Sequence, residues 1–564
     1  MREALQTPEQ YKLVEKILDR QKRLEEKRAP FDALYDDVDD YIIGRRANYD
    51  TGDKRGAAAG EKAGSKIYDQ TAAMAIQDFV DGYQGNTAAP TIDWWSPQFR
   101  SEEVMRLAEA KKWLDLVRKA ITIEINNSNF YGILSEATWD RALNGYSTVY
   151  GPEWSARRNR LIYYLRPPRE VYFSLNAEGD PDLWHRKFLI SGRQILDLWP
   201  DAPLKENFIK KIEKNPYKEY TCIHAIFPRE ERDISHELLS INKPVASVYI
   251  LEEGKVVLEE SGIQPDEGPT VARWRISGEA YPRSVAIDTI YQVMMLNKMS
   301  LSVLKSAQLL VEPPMIITGT TKGKVKIVPN AQIILEGPND KVEPLQFPSS
   351  LQAGIATVGD VRAACRDSFK AKIFSMMSQI TSQVTATQIE AMKGEQATLL
   401  LPVVTRDQNE NLIPLIKKTF KVLARAGRIP APPPSLAPFI NTPVDIMFSG
   451  PITMMARRNL RMQWVNVSLP QVLGLAKEAP QLASMLDKLD PDAVYDDIME
   501  AGGAPAKVTR DEKLVAQIRD TRAKAMQAQQ KQEALNKTAD TLHKGSTAPE
   551  PGSPAEKVMA GGQK

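Results

Sequence analysis

One stretch of this chain has the look of a phosphate-binding loop: Gly319-Thr320-Thr321-Lys322-Gly323-Lys324. In such a loop, glycines let backbone N–H groups cradle phosphates while a lysine reaches the terminal ones. Here three residues, not four, separate the glycines, and Val325 stands where the magnesium-binding Ser or Thr belongs. The segment reads as a basic β-hairpin turn. The histidines His185, His224, His236 and His543 form no metal-ligand spacing with one another, with Cys or with a carboxylate. They read as strand, loop and tail residues. Asp36, Asp37, Asp39 and Asp40 form a carboxylate cluster, and Asp496, Asp497 and Glu500 form another. A helix spreads such positions over several faces, which favours solvated surface over a metal site. No Gly-x-Ser-x-Gly elbow marks a serine hydrolase. Trp94-Trp95, flanked by Pro90 and Pro97, reads as a base- or partner-stacking pair or as anchors pinning a loop to a core; the second is preferred. The expectation is therefore no catalytic residue, no metal and no cofactor.

The bulk numbers agree with a binding or structural role. The chain has 564 residues, enough for roughly three or four domains. Its formal charge is 74 − 72 = +2, too little excess base for a protein that wraps nucleic acid over its whole surface. Two cysteines, Cys222 and Cys365, indicate a fold held by packing in a reducing compartment. The N-terminus carries no apolar core of a secretory signal, and no apolar run reaches membrane-spanning length.

Thr7-Pro8-Glu9-Gln10 is a capping box that opens a helix to about Arg28, with Pro30 separating it from a second helix near 31–43. Residues 44–65 read as a polar loop, and helices are expected over 66–84, 102–127 and 131–144. From about 145 to 280 short β-type runs alternate with turns, with one or two helices inside 189–215. A strongly apolar helix follows over 284–311, about 40 Å long. Its apolar residues spread round the cylinder, so it must be buried on more than one side. Pro313-Pro314 ends it. A β-rich excursion leads to a second helix over 351–377, launched by Ser349-Ser350-Leu351-Gln352. Another capping box, Thr387-Gln388-Ile389-Glu390, starts a helix to Gly427, with breaks or kinks at Pro402 and Pro414. A proline-rich connector over 428–445, mostly helical residues to 540 and a polar tail complete the chain. Fold class is α+β, mostly helical. The paired long helices cannot bury all their apolar surface against each other; neighbouring copies, or an ordinary helical domain, would supply the rest.

Several segments, in order, resemble the portal (head-to-tail connector) proteins of podovirus-type, short-tailed double-stranded DNA phages. They are Tyr68-Asp69-Gln70-Thr71 through Gly85-Asn86-Thr87 with Pro90 and Trp94-Trp95; Tyr281-Pro282-Arg283-Ser284; Glu312-Pro313-Pro314; Thr385-Ala386-Thr387-Gln388-Ile389; Leu412-Ile413-Pro414-Leu415-Ile416; and Leu423-Ala424-Arg425-Ala426-Gly427. The resemblance covers roughly residues 30–530; the 36–64 stretch, the 189–275 region and the tail carry no such signature.

The resemblance implies a homo-oligomeric ring, usually of twelve, at one capsid vertex of the virion, assembled in the host cytoplasm and off any membrane. Double-stranded DNA would pass its channel during packaging and ejection without sequence preference. Its partners would be the major capsid protein, the large terminase, which carries the ATPase, and tail adaptor proteins. It implies an N-terminal helix over 1–29, a wing over 30–280 and 387–428, and stem helices over 281–311 and 351–377. It further implies a clip over 312–350, a tunnel loop over 378–386, a crown over 429–540 and a disordered tail over 541–564. Leu301 and Leu304 are expected in stem packing between subunits. Lys322, Lys324 and Lys326 are expected at a clip surface that docks partners. Arg362, Arg366 and Lys370 recur every four residues and, with Lys372, would line the channel or pair with neighbouring acids. Gln379, Thr381, Ser382 and Gln383 would form an uncharged constriction, or the loop is a plain interhelical turn. The alternatives are a phage nucleic-acid-processing enzyme with a carboxylate site and a capsid scaffold protein without a channel.

Overall fold

The computed structural model describes residues 7–44, 66–236, 239–276, 278–318, 341–344, 351–369, 398–439, 442–454, 469–478, 490–501 and 512–546. The fold is mixed α+β. The first helix, α1 (Pro8–Val38), opens on the expected capping box, in which Thr7 and Gln10 each bond the other's backbone N–H. It does not stop at Pro30. The helix runs through to Val38 and ends in a π turn, Asp39–Ile43. Pro30 and Glu26, the residue whose carbonyl loses its donor, both face solvent, so water can replace the missing bond. Buried Leu24 and Arg28 before the proline, and Phe31 and Tyr35 after it, hold both halves in line.

The next helices are α2 (Thr71–Thr87), α3 (Glu102–Met105), α4 (Ala108–Asn126) and α5 (Phe130–Asn144). Between α2 and α3 lies β1 (Trp95–Phe99), which pairs antiparallel with β12 (Val444–Phe448) from far along the chain. Gly145 ends α5 in the left-handed region, at φ +89°, and a Cβ there would collide with the Pro282 carbonyl. That corner feeds β2 (Tyr146–Ser155), the centre of a three-stranded sheet with β3 (Arg160–Arg166) and β9 (Thr270–Arg273).

A five-stranded antiparallel meander follows: β4 (Val171–Leu175), β5 (Pro181–Ser191), β6 (Glu219–Pro228), β7 (Val245–Leu251) and β8 (Val256–Ile263). Alternation sorts its two faces. Ile223, Ala225, Val248 and Ile250 take Val14 and Ile17 of α1. Tyr220, Cys222 and Leu251 take α6 (Gly192–Leu198) and α7 (Glu206–Lys214).

The remaining elements are α8 (Val285–Val311), the hairpin strands β10 (Met315–Thr318) and β11 (Lys341–Pro344), and α9 (Leu351–Ser368). Helical residues 398–407, a π turn over Gln408–Leu412 and α10 (Ile413–Arg425) then form one continuous rod. Pro402 does not break the helix among the described residues. Before Pro414 the π turn inserts one extra residue, and the rod continues. Gly427, at φ +67°, closes α10: Arg428 N–H reaches the Leu423 carbonyl and Gly427 N–H the Ala424 carbonyl. Further on lie α11 (Leu469–Glu478), α12 (Pro491–Ala501) and α13 (Glu512–Ser546).

Two buried arginines grip the π turn. Arg141 of α5 pairs with Asp407, whose carboxylate also accepts from the Tyr83 hydroxyl at 3.0 Å and from Asn411 Nδ2 at 2.9 Å. Arg273 of β9 binds Glu410 through Nε at 3.0 Å and Nη2 at 2.9 Å, and its own backbone N–H joins at 2.9 Å. Burial and the adjacent Asp407 charge push the Tyr83 hydroxyl well above its ordinary pKa, so it stays a donor.

Asp407→Leu strands the Arg141 cation in the core, which costs about 3–5 kcal/mol. Loss of helical circular dichroism in urea should move to lower denaturant accordingly, and adding Arg141→Met should recover most of the shift. Equal stability of the single and double variants would show that the pair does not hold the rod.

Candidate assembly and channel surfaces

Helix α8 starts where Ser284 caps it: the hydroxyl accepts from Ile287 N–H at 2.9 Å and donates to the Leu143 carbonyl at 2.7 Å. Its first half lies in the main core, with Val285, Ile287, Ile290, Val293 and Leu296 buried beside residues of α1, α2 and α5. Helix α9 returns antiparallel along it. Ser368 Oγ meets Gln292 at 3.0 Å, while at the other end Gly354 faces Val303, close enough that a Cβ would sit 3.4 Å from its methyl.

Asp69, just ahead of α2, ties these helices together. Its buried carboxylate accepts from Thr71 N–H at 2.9 Å, from Ser300 Oγ at 3.2 Å and from Arg362 Nε at 2.7 Å. Asn297 Oδ1 receives the backbone N–H groups of Tyr68 and Asp69 at 2.7 and 3.0 Å. Burial raises the carboxyl's pKa, but the hydrogen bonds from Thr71 and Arg362 outweigh it and hold the pKa below the ordinary value. Sequence reasoning missed this node. The signal available was Asn297 and Ser300, two polar residues three apart among the apolar residues of this helix.

Beyond Ser300 the character of α8 changes. Leu301 is half-buried, Leu304 is 51% exposed and Val311 81% exposed. Leu309, Leu310, Ile316 of β10 and Ile355 of α9 are exposed as well. Among the described residues, this end of the hairpin is an apolar surface left uncovered.

The expected basic face of α9 divides. Arg362 is committed to Asp69 within the chain, the acid-pairing reading for that residue, although half its side chain remains exposed. Arg366 is exposed and makes no ion pair among the described residues. Lys370 and Lys372 lie outside the described residues, as do Lys322, Lys324 and Lys326 and the constriction candidates Gln379, Thr381, Ser382 and Gln383.

The remaining sequence candidates are built into the fold. Trp94 and Trp95 are buried, with Trp94 stacked between Phe130 and Phe448. The Asp36–Asp40 cluster is more engaged than a solvated face: Arg169 bridges Asp36 and Asp39 at 3.1 and 2.7 Å, and Lys66 reaches Asp40 at 2.8 Å. Among the described residues no group of His, Cys, Asp or Glu has the arrangement to hold a metal ion. His185 bonds Gln21 at 3.0 Å, and burial lowers its pKa to about 3; His224 bonds Ser247 at 2.9 Å and stacks on Tyr249. No described helix is long and apolar enough to cross a membrane.

The family described as bacteriophage head to tail connecting protein matches residues 14–509. The portal protein of Salmonella phage epsilon15 is 26% identical over 531 residues, covering 92% of each chain. The probable portal protein of Bordetella phage BPP-1 is 25% identical over 539 residues, 94% of each. Among solved structures, the neck of an empty GTA particle, computed with C6 symmetry, aligns at a TM-score of 0.34 and 10% identity, covering 71% of this chain and 90% of that one.

Leu304→Asp should leave the isolated chain folded, because the position is exposed there. Within a packed assembly it would bury an unpaired charge at a cost of several kcal/mol. Native mass should fall to that of a single chain with circular dichroism unchanged; normal assemblies would place the interface elsewhere. The Asp69 node makes an acid prediction. Its depressed pKa contributes stability that is complete above the ordinary carboxylate value of about 3.9 and is lost as pH falls through the lower folded value. Asp69→Asn should therefore lower the melting temperature at neutral pH, and the gap to wild type should close on acidification. A gap independent of pH would assign the loss to shape and not to charge.

Proposed function

This chain belongs to the bacteriophage head to tail connecting protein family, and from that membership we propose that it is the portal of a short-tailed double-stranded DNA phage. In this reading copies of the chain, usually twelve, form a ring at one capsid vertex, in the neck between head and tail. DNA enters the head through its axis and later leaves the same way. The protein is a structural conduit, not a catalyst. The large terminase docks on the ring during packaging and supplies the ATPase, tail adaptors replace it, and the major capsid protein surrounds it. Assembly takes place in the host cytoplasm.

The observation that carries the reading is the bare apolar end of the α8–α9 hairpin. In a ring each hairpin stands between two identical ones, so one surface pattern is covered on both sides by a heterologous contact repeated until it closes. Residues 281–311 and 351–377 are then the stem, and 312–350 the clip, with Lys322, Lys324 and Lys326 at its docking surface. The wing is 30–280 and 387–428, and the crown 429–540. The loop 378–386 carries the constriction, with Gln379, Thr381, Ser382 and Gln383 toward the axis. Uncharged polar side chains there exchange hydrogen bonds with water and phosphate and form no lasting ion pair. Arg366, with Lys370 and Lys372, offers the sliding duplex weak, sequence-independent contacts.

The test begins with native mass in detergent-free buffer. A value near twelve chains of 63.1 kDa supports the ring, and a monomer overturns it. In rings whose two buried cysteines, Cys222 and Cys365, are replaced by Ala, Ser382→Cys labelled with a bulky maleimide should block DNA passage. Free passage through fully labelled rings would move the constriction to another segment.

A further inference from the structure

A cavity of about 650 Å³ opens between α4, α10, the β1–β12 ribbon and the turn that joins β8 to β9. That volume lies within the range of about 300–1,000 Å³ usual for small-molecule sites. Its walls are mostly apolar, among them Trp113 and Val117 of α4 and Ile413 and Phe420 of α10. One of the cations of this wall, Lys418, has neutral partners. Lys418 is 9% exposed, and its ammonium donates to Thr270 Oγ1 at 2.6 Å and to the Gly268 carbonyl, both neutral acceptors.

Its charged neighbours are already partnered. Arg273 holds Glu410, and Lys421 holds Asp266. Lys417, at the solvent edge, acts on Asp445. Asp180, the remaining acid of the wall, is exposed and makes no ion pair with Lys418. A buried cation without a counter-charge is unfavourable. Burial accordingly brings the Lys418 pKa down to about 7. An apolar chamber with one unanswered ammonium matches a molecule with an apolar body and a single negative end.

We propose that this cavity binds an amphipathic monocarboxylate, its apolar body between Val117 and Phe420 and its carboxylate on the Lys418 ammonium. The site lies within one chain, so it stands or falls apart from the ring reading. A bound carboxylate would brace α10 against the β8–β9 turn, where Lys421 and Arg425 already grip Asp266 and Glu267.

The test uses the full-length protein and compares sodium decanoate with decan-1-ol by isothermal titration calorimetry and by the fluorescence of Trp113 at the wall. Decanoate should bind saturably, one per chain, and about tenfold or more tighter than the alcohol, the difference a charge-assisted hydrogen bond supplies. Lys418→Met should bring decanoate down to the affinity of decanol and leave decanol unchanged. Ile413→Trp, which fills the chamber from a half-buried position, should abolish both. Equal binding of acid and alcohol by the unmodified protein, or no saturable binding of either, overturns the proposal without recourse to any variant. Decanoate binding that survives both substitutions does so as well.

Discussion

The apolar residues of α8 spread round the helix and demand burial on more than one side, and within its own chain the helix has buried residues only as far as Ser300. Up to that point α1, α2, α5 and α9 pack against it and leave Tyr291 and Met295 exposed. Past it, among the described residues, α9 accompanies it and leucines are exposed. Burying a leucine side chain fully is worth about 1.5–3 kcal/mol, so several such residues repeated around a ring supply a substantial drive to associate. The rest of the molecule can be understood as what holds this one hairpin at a defined angle to the body.

That angle is set by polar groups in the core. Asp69 joins the start of α2 to α8 and α9, Arg141–Asp407 joins α5 to the long rod, and Arg273–Glu410 joins the rod to the three-stranded sheet. Buried ion pairs are weak sources of net stability but are costly to break. Apolar contacts between helices tolerate sliding; a carboxylate that must meet a particular guanidinium does not. The π turn belongs to the same device, because it brings Asp407, Glu410 and Asn411 to the arginine contacts immediately before Pro414. The five-stranded meander, covered on one face by α1 and on the other by α6 and α7, joins the main core through α1 and through its own Val171, Phe173, Trp184 and Ile226.

What the sequence determined by itself was local in origin. The Thr7 capping box, the extent of α8 between Ser284 and Pro313, the strands around Leu161 and Val248 and the glycine stop at 427 all follow from backbone chemistry within a few residues. The uncovered apolar face of α8 followed from the same pattern, because an excess of apolar residues is visible without knowing what covers them. Tertiary structure alone decided the rest. Pro30 and Pro402 stay inside helices; at Pro30, packing on either side outweighs one lost hydrogen bond. Asp69 and Arg362 lie far apart in the chain and close in space, and no periodicity reports a pair whose partners sit on different elements. Lys418 reads in sequence as one more base in a charged helix, and only the turn folded over it removes its water. Short-range sterics and hydrogen bonding are written residue by residue, whereas desolvation belongs to whatever the fold brings alongside.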